Sequence, residues 1–294
     1  MNKKLIIDVE RVVLETNLPY TLFKRGKVRD IYDLGNNLLI VSTDRISVFD
    51  VVLSDGIPYK GEVLNLLSAY WFKETEKIVP NHLFKVVDSR SALVKKTKPI
   101  KVEFVVRGYL YGSAWEKYRR GEDISGNKLP SGLEKAEKLR EPILTPTTKS
   151  DVGHDVDLNR DRVSKMIGRK ITSEIEELSL KIYEFASEKA EDKGIIIADT
   201  KFEFGLLNDT LLLIDEVLTP DSSRFWPKDR YKVGIEQPSF DKQYVRDYLT
   251  LTGWNKQPPA PHLPKEVIIE TSRRYIEAYE KLTGEKFTIK LGEK

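Results

Sequence analysis

The chain has 294 residues, 49 of them basic and 46 acidic, for a formal net charge of +3; so near a balance gives no global field of the kind that gathers nucleic acid or an anionic membrane. It holds no cysteine and three scattered histidines, which excludes disulfides, thiolate zinc sites and cysteine nucleophiles, and argues against a histidine-rich metal site. At about 100–200 residues per domain the length allows one or two domains, and two are expected.

No apolar run approaches the roughly 18 residues of a membrane span, and Met1-Asn2-Lys3-Lys4 leads into an amphipathic segment rather than a signal peptide. A cytoplasmic protein is expected. Charged residues at 32%, with no cysteine, lean towards a thermophilic source.

Leu5, Ile6, Val9, Val12 and Val13 are spaced for a short opening helix over 4–16. Strand patterns follow over Leu22 to Leu34 and Leu38 to Ser42, with Gly35-Asn36-Asn37 as a hairpin turn. Lys27 and Arg29, beside Gly26, either lie over a polyphosphate or belong to an ordinary charged edge strand. Ser42 to Asp50 is too polar for a core strand and too apolar for a linker, so it reads as an ordered loop. The segment 54–61 is rich in turn residues, and Glu62 to Ile78 has helical spacing that ends at Pro80.

Residues 83–87 and 101–106 read as strands, with a solvated basic turn at Lys95-Lys96-Thr97-Lys98. Arg107 emerges from an apolar strand and is not expected to be buried unpaired, so it meets an anion, either a ligand phosphate or a structural carboxylate. Leu144 to Asp155 is rich in hydroxyls and charge and reads as a long irregular loop, either functional or a surface excursion. A long helix over 171–193 places Ile171, Ile175, Leu178, Ile182, Phe185 and Ala186 on one face. Helical patterns return at 241–251 and 266–282, separated by the proline-rich link 257–261.

Between these helices, 194–227 concentrates charge on a strand-forming background. Asp199 to Val217 alternates, and Asn208-Asp209 tolerates the positive φ of a tight turn. With Asn208-Asp209-Thr210 as the loop, Phe204 faces Ile214, Leu206 faces Leu212 and Glu203 faces Asp215. Residues two apart share a face, so Asp199, Lys201 and Glu203 line the side of Asp215. Opposed carboxylates are unfavourable. A divalent cation shared with phosphate oxygens or the neighbouring Lys201 would compensate them; a solvated hairpin is the plainer alternative.

The strings GKVRDIYDLG (26–35), STDRISVFDVVLSDGIPYKG (42–61), EFVVRGYLYGSAW (103–115), TPTTKSDVGHD (145–155), ADTKFEFG (198–205) and IDEVLTPDSSRFW (214–226) occur in this order. Together they resemble the SAICAR synthetase (phosphoribosylaminoimidazole-succinocarboxamide synthase) family of purine biosynthesis, in its longer form. Tyr59 departs from the pattern, since a glycine is expected before Lys60-Gly61. The resemblance implies an α+β fold related to ATP-grasp proteins. An N-terminal antiparallel-sheet ATP-binding domain (1–105) would be followed by a C-terminal mixed α/β domain (106–294), with ATP in the cleft between them.

The activity implied is ATP-dependent ligation of L-aspartate to the carboxylate of carboxyaminoimidazole ribonucleotide (CAIR), with ATP and Mg²⁺ as cofactors and no nucleic-acid or membrane partner. Lys201, Glu203 and Asp215 match its catalytic residues, with Glu203 and Asp215 as metal ligands. Lys27, Arg29 and Lys149 match contacts to the ATP phosphates, and Val102, Glu103 and Phe104 the strand whose backbone faces the adenine. Arg107, Ser113 and Arg224 match the grip on the 5′-phosphate of the ribonucleotide, Asp199 a ribose contact, and Lys201 and Asp221 further substrate contacts. Asp44, Arg45, Ser47 and Asp50 match a loop near the aspartate, with which Asp151, also close to the ATP phosphates, is grouped. A small-molecule kinase with the same ATP-binding architecture and a non-catalytic nucleotide sensor are the other classes; only the ligase consumes aspartate. The oligomeric state is not specified by the sequence.

Overall fold

A computed structural model describes residues 7–149 and 156–288. In chain order it contains β1 (Thr21–Arg25), β2 (Arg29–Asp33), β3 (Asn37–Ser42), β4 (Arg45–Val48), β5 (Val51–Gly56), α1 (Lys60–Glu74), β6 (Leu83–Val86), β7 (Ser91–Lys95) and β8 (Lys98–Tyr109). Then come α2 (Gly112–Arg120), β9 (Lys138–Thr148), α3 (Arg160–Ile167), α4 (Arg169–Glu191), β10 (Ile195–Leu207), β11 (Thr210–Ile214), β12 (Ser223–Pro227), α5 (Gln243–Leu251) and α6 (Lys265–Thr283). Every pairing between these strands is antiparallel, where an antiparallel sheet was expected for the N-terminal domain. Among the described residues no helix is long and apolar enough to cross a membrane.

Two compact units result, each discontinuous in sequence. The first comprises the described residues up to Tyr70, Leu83–Lys96 and those from Phe240 onward; the second comprises Trp71–His82 and the described residues of Thr97–Ser239. This division and the boundary expected after residue 105 differ in where the terminal helices belong.

In the first unit, a five-stranded sheet runs β1-β2-β3-β7-β6 and β4-β5 forms a separate hairpin. Helical periodicity in α5 and α6 delivers Val245, Leu249 and Val267, with Leu263 between the two helices, into a core with Ile46, Val48, Leu53 and Ile57. Ser42 to Asp50, expected as a loop, contains β4 and turns at Phe49-Asp50, both with positive φ (52° and 66°). Its polar residues can be buried because they are paired. Asp44 accepts from the Val13 N–H at 2.7 Å and the Gly61 N–H at 2.9 Å, and Arg45 donates to Asp30 and the Gly26 carbonyl, each at 2.9 Å.

The same carboxylates overturn the opening helix. Residues 7–16 are not helical, since the N–H groups of Val13 and Thr16 are taken by Asp44, in the bend between β3 and β4, and by Asp30 on β2; residues 4–6 lie outside the described residues. Leu22 to Leu34, where strand patterns are expected, folds into β1 and β2, and β7 was not anticipated. Tyr59 adopts φ 64°, a left-handed conformation that glycine takes freely. Its buried ring packs edge-on to Phe287, with centroids 6.0 Å apart, and lies 4.9 Å from the Arg11 guanidinium.

In the second unit the sheet order is β11-β10-β8-β9, with β12 also paired to β10. The all-buried run Ile195–Ala198 makes β10 central, and α4 buries Ile175, Ile182, Tyr183 and Ala186. Leu144 to Thr148, expected as irregular, belongs to β9; residues 150–155 of that segment, Asp151 among them, lie outside the described residues.

The hairpin register differs by one residue from the expected one. Asn208 and Asp209 both take positive φ (48° and 63°), so the turn has two residues, and Leu207 pairs with Thr210. Phe204 therefore faces Leu213 and Glu203 faces Ile214, not Asp215. Asp215 lies just past β11, where φ 69° breaks the alternation.

Candidate active site

Alternation along β10 places Asp199, Lys201 and Glu203 on one face, over roughly 13 Å from first to last at about 3.3 Å per residue. At the Asp199 end, β8 contributes Arg107 directly opposite, with Nη1 2.8 Å from Asp199 Oδ2. The Arg107 Nε donates to Thr145 Oγ1 at 2.8 Å and its Nη2 to Ser113 Oγ at 3.3 Å. Arg224, paired with Asp199 across β12, donates to the same Oδ2. Burial pushes the Arg107 guanidinium below its ordinary value, Asp199 opposing and Arg224 adding to the shift; both remain cations.

Two guanidiniums sharing one carboxylate leave this end positive. Beside them begins α2, whose N-cap, Tyr111, makes no side-chain cap, so its first N–H groups and dipole add to the positive field. Gly112, with φ 59°, has no Cβ, and one built there would lie 2.5 Å from Arg224 Nη2. The glycine thus admits the guanidinium to the helix terminus. Such a place favours a phosphate.

At the other end Lys201 Nζ lies 2.6 Å from Glu103 Oε1 and 2.8 Å from Glu203 Oε1, while Lys149 donates to Glu203 Oε2. Burial alone would lower the Lys201 pKa, but Glu203, Glu103 and Asp215 outweigh it and hold it well above the ordinary value. Three carboxylates against two ammoniums leave this end negative. One strand face therefore offers an anion site and a cation-attracting site side by side.

Other expected positions fall elsewhere. Val102 and Phe104 turn fully buried side chains into the core, leaving only their backbone for a ligand. Asp221 lies in a turn where its N–H donates to Thr219 Oγ1 at 3.2 Å. In the first unit Lys27, in the turn between β1 and β2, pairs with Asp50 at 2.7 Å, both more than half exposed. Arg29 opens β2 and Ser47 lies half-buried on β4, whereas Asp44 and Arg45 are absorbed in the buried network described above.

The SAICAR synthetase family model matches residues 22–261. The chain belongs to the SAICAR synthetase family. It is 50% identical over 290 residues to the phosphoribosylaminoimidazole-succinocarboxamide synthase of Geobacter metallireducens, covering 93% of this chain and 98% of that one. The SAICAR synthase of Saccharomyces cerevisiae, solved complexed with SAICAR, superposes with a TM-score of 0.86 at 40% identity over 94% of this chain and 99% of its own. A SAICAR synthetase solved in complex with ADP gives 0.71 at 26% identity over 90% of this chain and 99% of its own.

Several residues of this candidate site were not singled out from the sequence in the positions they take. Glu103 was read as a backbone contact, yet its carboxylate holds Lys201. Thr145 fixes the Arg107 Nε, and Tyr111 carries Arg224 5.6 Å from its ring centre while donating to Glu236, which also receives Lys135. Their partners are remote in sequence, although Thr145 and Tyr111 lie within strings that matched the family.

For a metal, no group of three or more His, Cys, Asp or Glu among the described residues forms a cage. Glu203 and Asp215 still suit Mg²⁺ chemically, because that ion takes one or two carboxylates and completes its shell with phosphate oxygens and water.

Proposed function

We propose that the chain catalyses ATP-dependent ligation of L-aspartate to the carboxylate of CAIR, giving SAICAR, ADP and phosphate. The observation that carries this reading is the 50% identity to the Geobacter synthase over nearly the whole of both chains. The two oppositely charged ends of the β10 face agree with it.

A carboxylate is a poor acyl donor, and phosphoryl transfer from ATP makes it one that the aspartate amine can attack. The work of the protein is then to align and neutralise anions. Arg107, Arg224, Ser113 and the α2 N-terminus hold the 5′-phosphate of CAIR, and Asp199 orients both guanidiniums and meets the ribose. Lys201, kept protonated by its carboxylates, faces the substrate carboxylate, and Asp221 makes a further substrate contact. Glu203 and Asp215 would hold Mg²⁺, which when bound supplies charge neutralisation on the ATP phosphates.

Lys27, Arg29 and Lys149 serve the ATP phosphates, and the Val102–Phe104 backbone the adenine. Asp50, with Asp44, Arg45, Ser47 and Asp151, serves the aspartate side. The ATP-grasp relation, an inter-domain ATP cleft and a cytoplasmic location belong to the same proposal.

The test is ADP release from ATP and Mg²⁺ with CAIR present, with and without L-aspartate. Release that depends on both, with SAICAR formed, is expected. Aspartate-independent phosphorylation would instead indicate a kinase, and ligand binding without turnover a sensor.

A further inference from the structure

The Arg107 and Asp199 pair lies between two strand irregularities. Pairing of β10 with β12 passes from Ile197↔Phe225 to Asp199↔Arg224, skipping Ala198, and pairing of β8 with β9 passes from Arg107↔Ile143 to Tyr109↔Lys138. Such bulges bend a strand and re-aim the neighbouring side chain. Something must hold them, because each leaves part of the ladder unmade.

Behind the sheet, α4 supplies that support. The buried Tyr183 hydroxyl donates to the Ile197 carbonyl at 2.7 Å, immediately before the β10 irregularity. It also occupies the space a side chain at residue 108 would need, since a Cβ on Gly108 would lie 2.0 Å from the Tyr183 oxygen. One hydroxyl thus meets both irregular strands, two residues before Asp199 on one and beside Arg107 on the other. A cavity of about 180 Å³ lined by Gly108, Tyr109, Tyr183 and Ser187 adjoins it, so the backbone has room to shift if the bond is lost. Burial pushes the phenol above its ordinary pKa, against the opposing Ser187 and Gly108, which keeps it a neutral donor.

We infer that Tyr183 is a positioning residue: its hydroxyl, seated on Gly108 and bonded to Ile197, sets the aim of Asp199 and Arg107 at the phosphate of the ribonucleotide. This rests on the proposed phosphate role of that cluster. It predicts selectivity, because the lysine and carboxylate cluster near Lys201 lies further along the same two strands, away from the bond to Ile197.

Tyr183→Phe removes the hydroxyl and keeps the ring. The expected result is a rise of roughly fivefold or more in the KM for CAIR, with the KM values for ATP and aspartate changed by less than about twofold. SAICAR titrated into the variant without ATP should bind weaker by a similar factor. All assays are run below the onset of melting of each variant, so that lost stability does not enter. A Tyr183→Phe protein with a lower Tm but unaltered CAIR and SAICAR affinity would overturn the inference, as would equal losses for all three substrates. If the unaltered protein binds no SAICAR, the phosphate reading itself fails and the inference falls with it.

Discussion

Lys201 and Glu103 meet at 2.6 Å across β10 and β8, joining residues 98 positions apart. Glu103 thereby becomes part of the charge balance around the lysine. The ammonium binds its proton more tightly in the folded chain than in the unfolded one, and this has consequences for stability and pH.

Lys201→Met should leave Glu103 and Glu203 facing each other with only Lys149 to compensate. Leaving two buried carboxylates without this partner costs about 3 kcal/mol, read as a fall in urea midpoint. Because the folded pKa is raised, the contribution of Lys201 is complete below the unfolded value near pH 10.4 and declines as pH rises beyond it. The stability gap between wild type and variant should therefore be constant from about pH 7 to 10 and narrow at higher pH. A gap unchanged up to about pH 11.5 would contradict the assignment.

Arg224→Lys keeps the charge and loses the fork that reaches Asp199 while lying over Tyr111. The KM for CAIR should rise about tenfold or more, and that for ATP far less. Gly112→Ala should act in the same direction, since its Cβ intrudes on the Arg224 Nη2 and alanine is strained at φ 59°. Steady-state kinetics with each substrate varied in turn decides this.

Glu203→Gln and Asp215→Asn each remove one negative charge near Lys201. Turnover should fall by about 10² or more and recover in part at high Mg²⁺, with SAICAR binding in the absence of metal little altered. Isothermal titration with Mg²⁺ and a non-hydrolysable ATP analogue provides a readout besides activity. Loss of Tm with an unaltered Mg²⁺ response would assign both carboxylates to a structural cluster.

Tyr59→Gly restores the residue expected from the family pattern and removes left-handed strain of about 1–2 kcal/mol. It also deletes a buried aromatic ring, a change that costs about 3–5 kcal/mol. The net expectation is destabilisation, seen as a lower Tm. An unchanged or higher Tm would show that the contacts with Arg11 and Phe287 contribute little.

Periodicity alone placed Asp199, Lys201 and Glu203 on one strand face and identified α4, α5 and α6, because alternation and the helical repeat are local properties of the backbone. The motif strings likewise led to the family. Only the tertiary structure decided the hairpin register, where left-handed φ at both Asn208 and Asp209 shortened the turn by one residue and moved every pair. It also decided that residues 7–16 are not helical, because Asp30 and Asp44 compete for N–H groups that an isolated segment would use internally. The partners of the site residues, Glu103 for Lys201, Thr145 for Arg107 and Tyr183 for the strand beneath Asp199, are fixed by strand pairing and helix packing over long sequence separations. Local patterns encode which way a side chain faces; which group it meets depends on packing between distant segments.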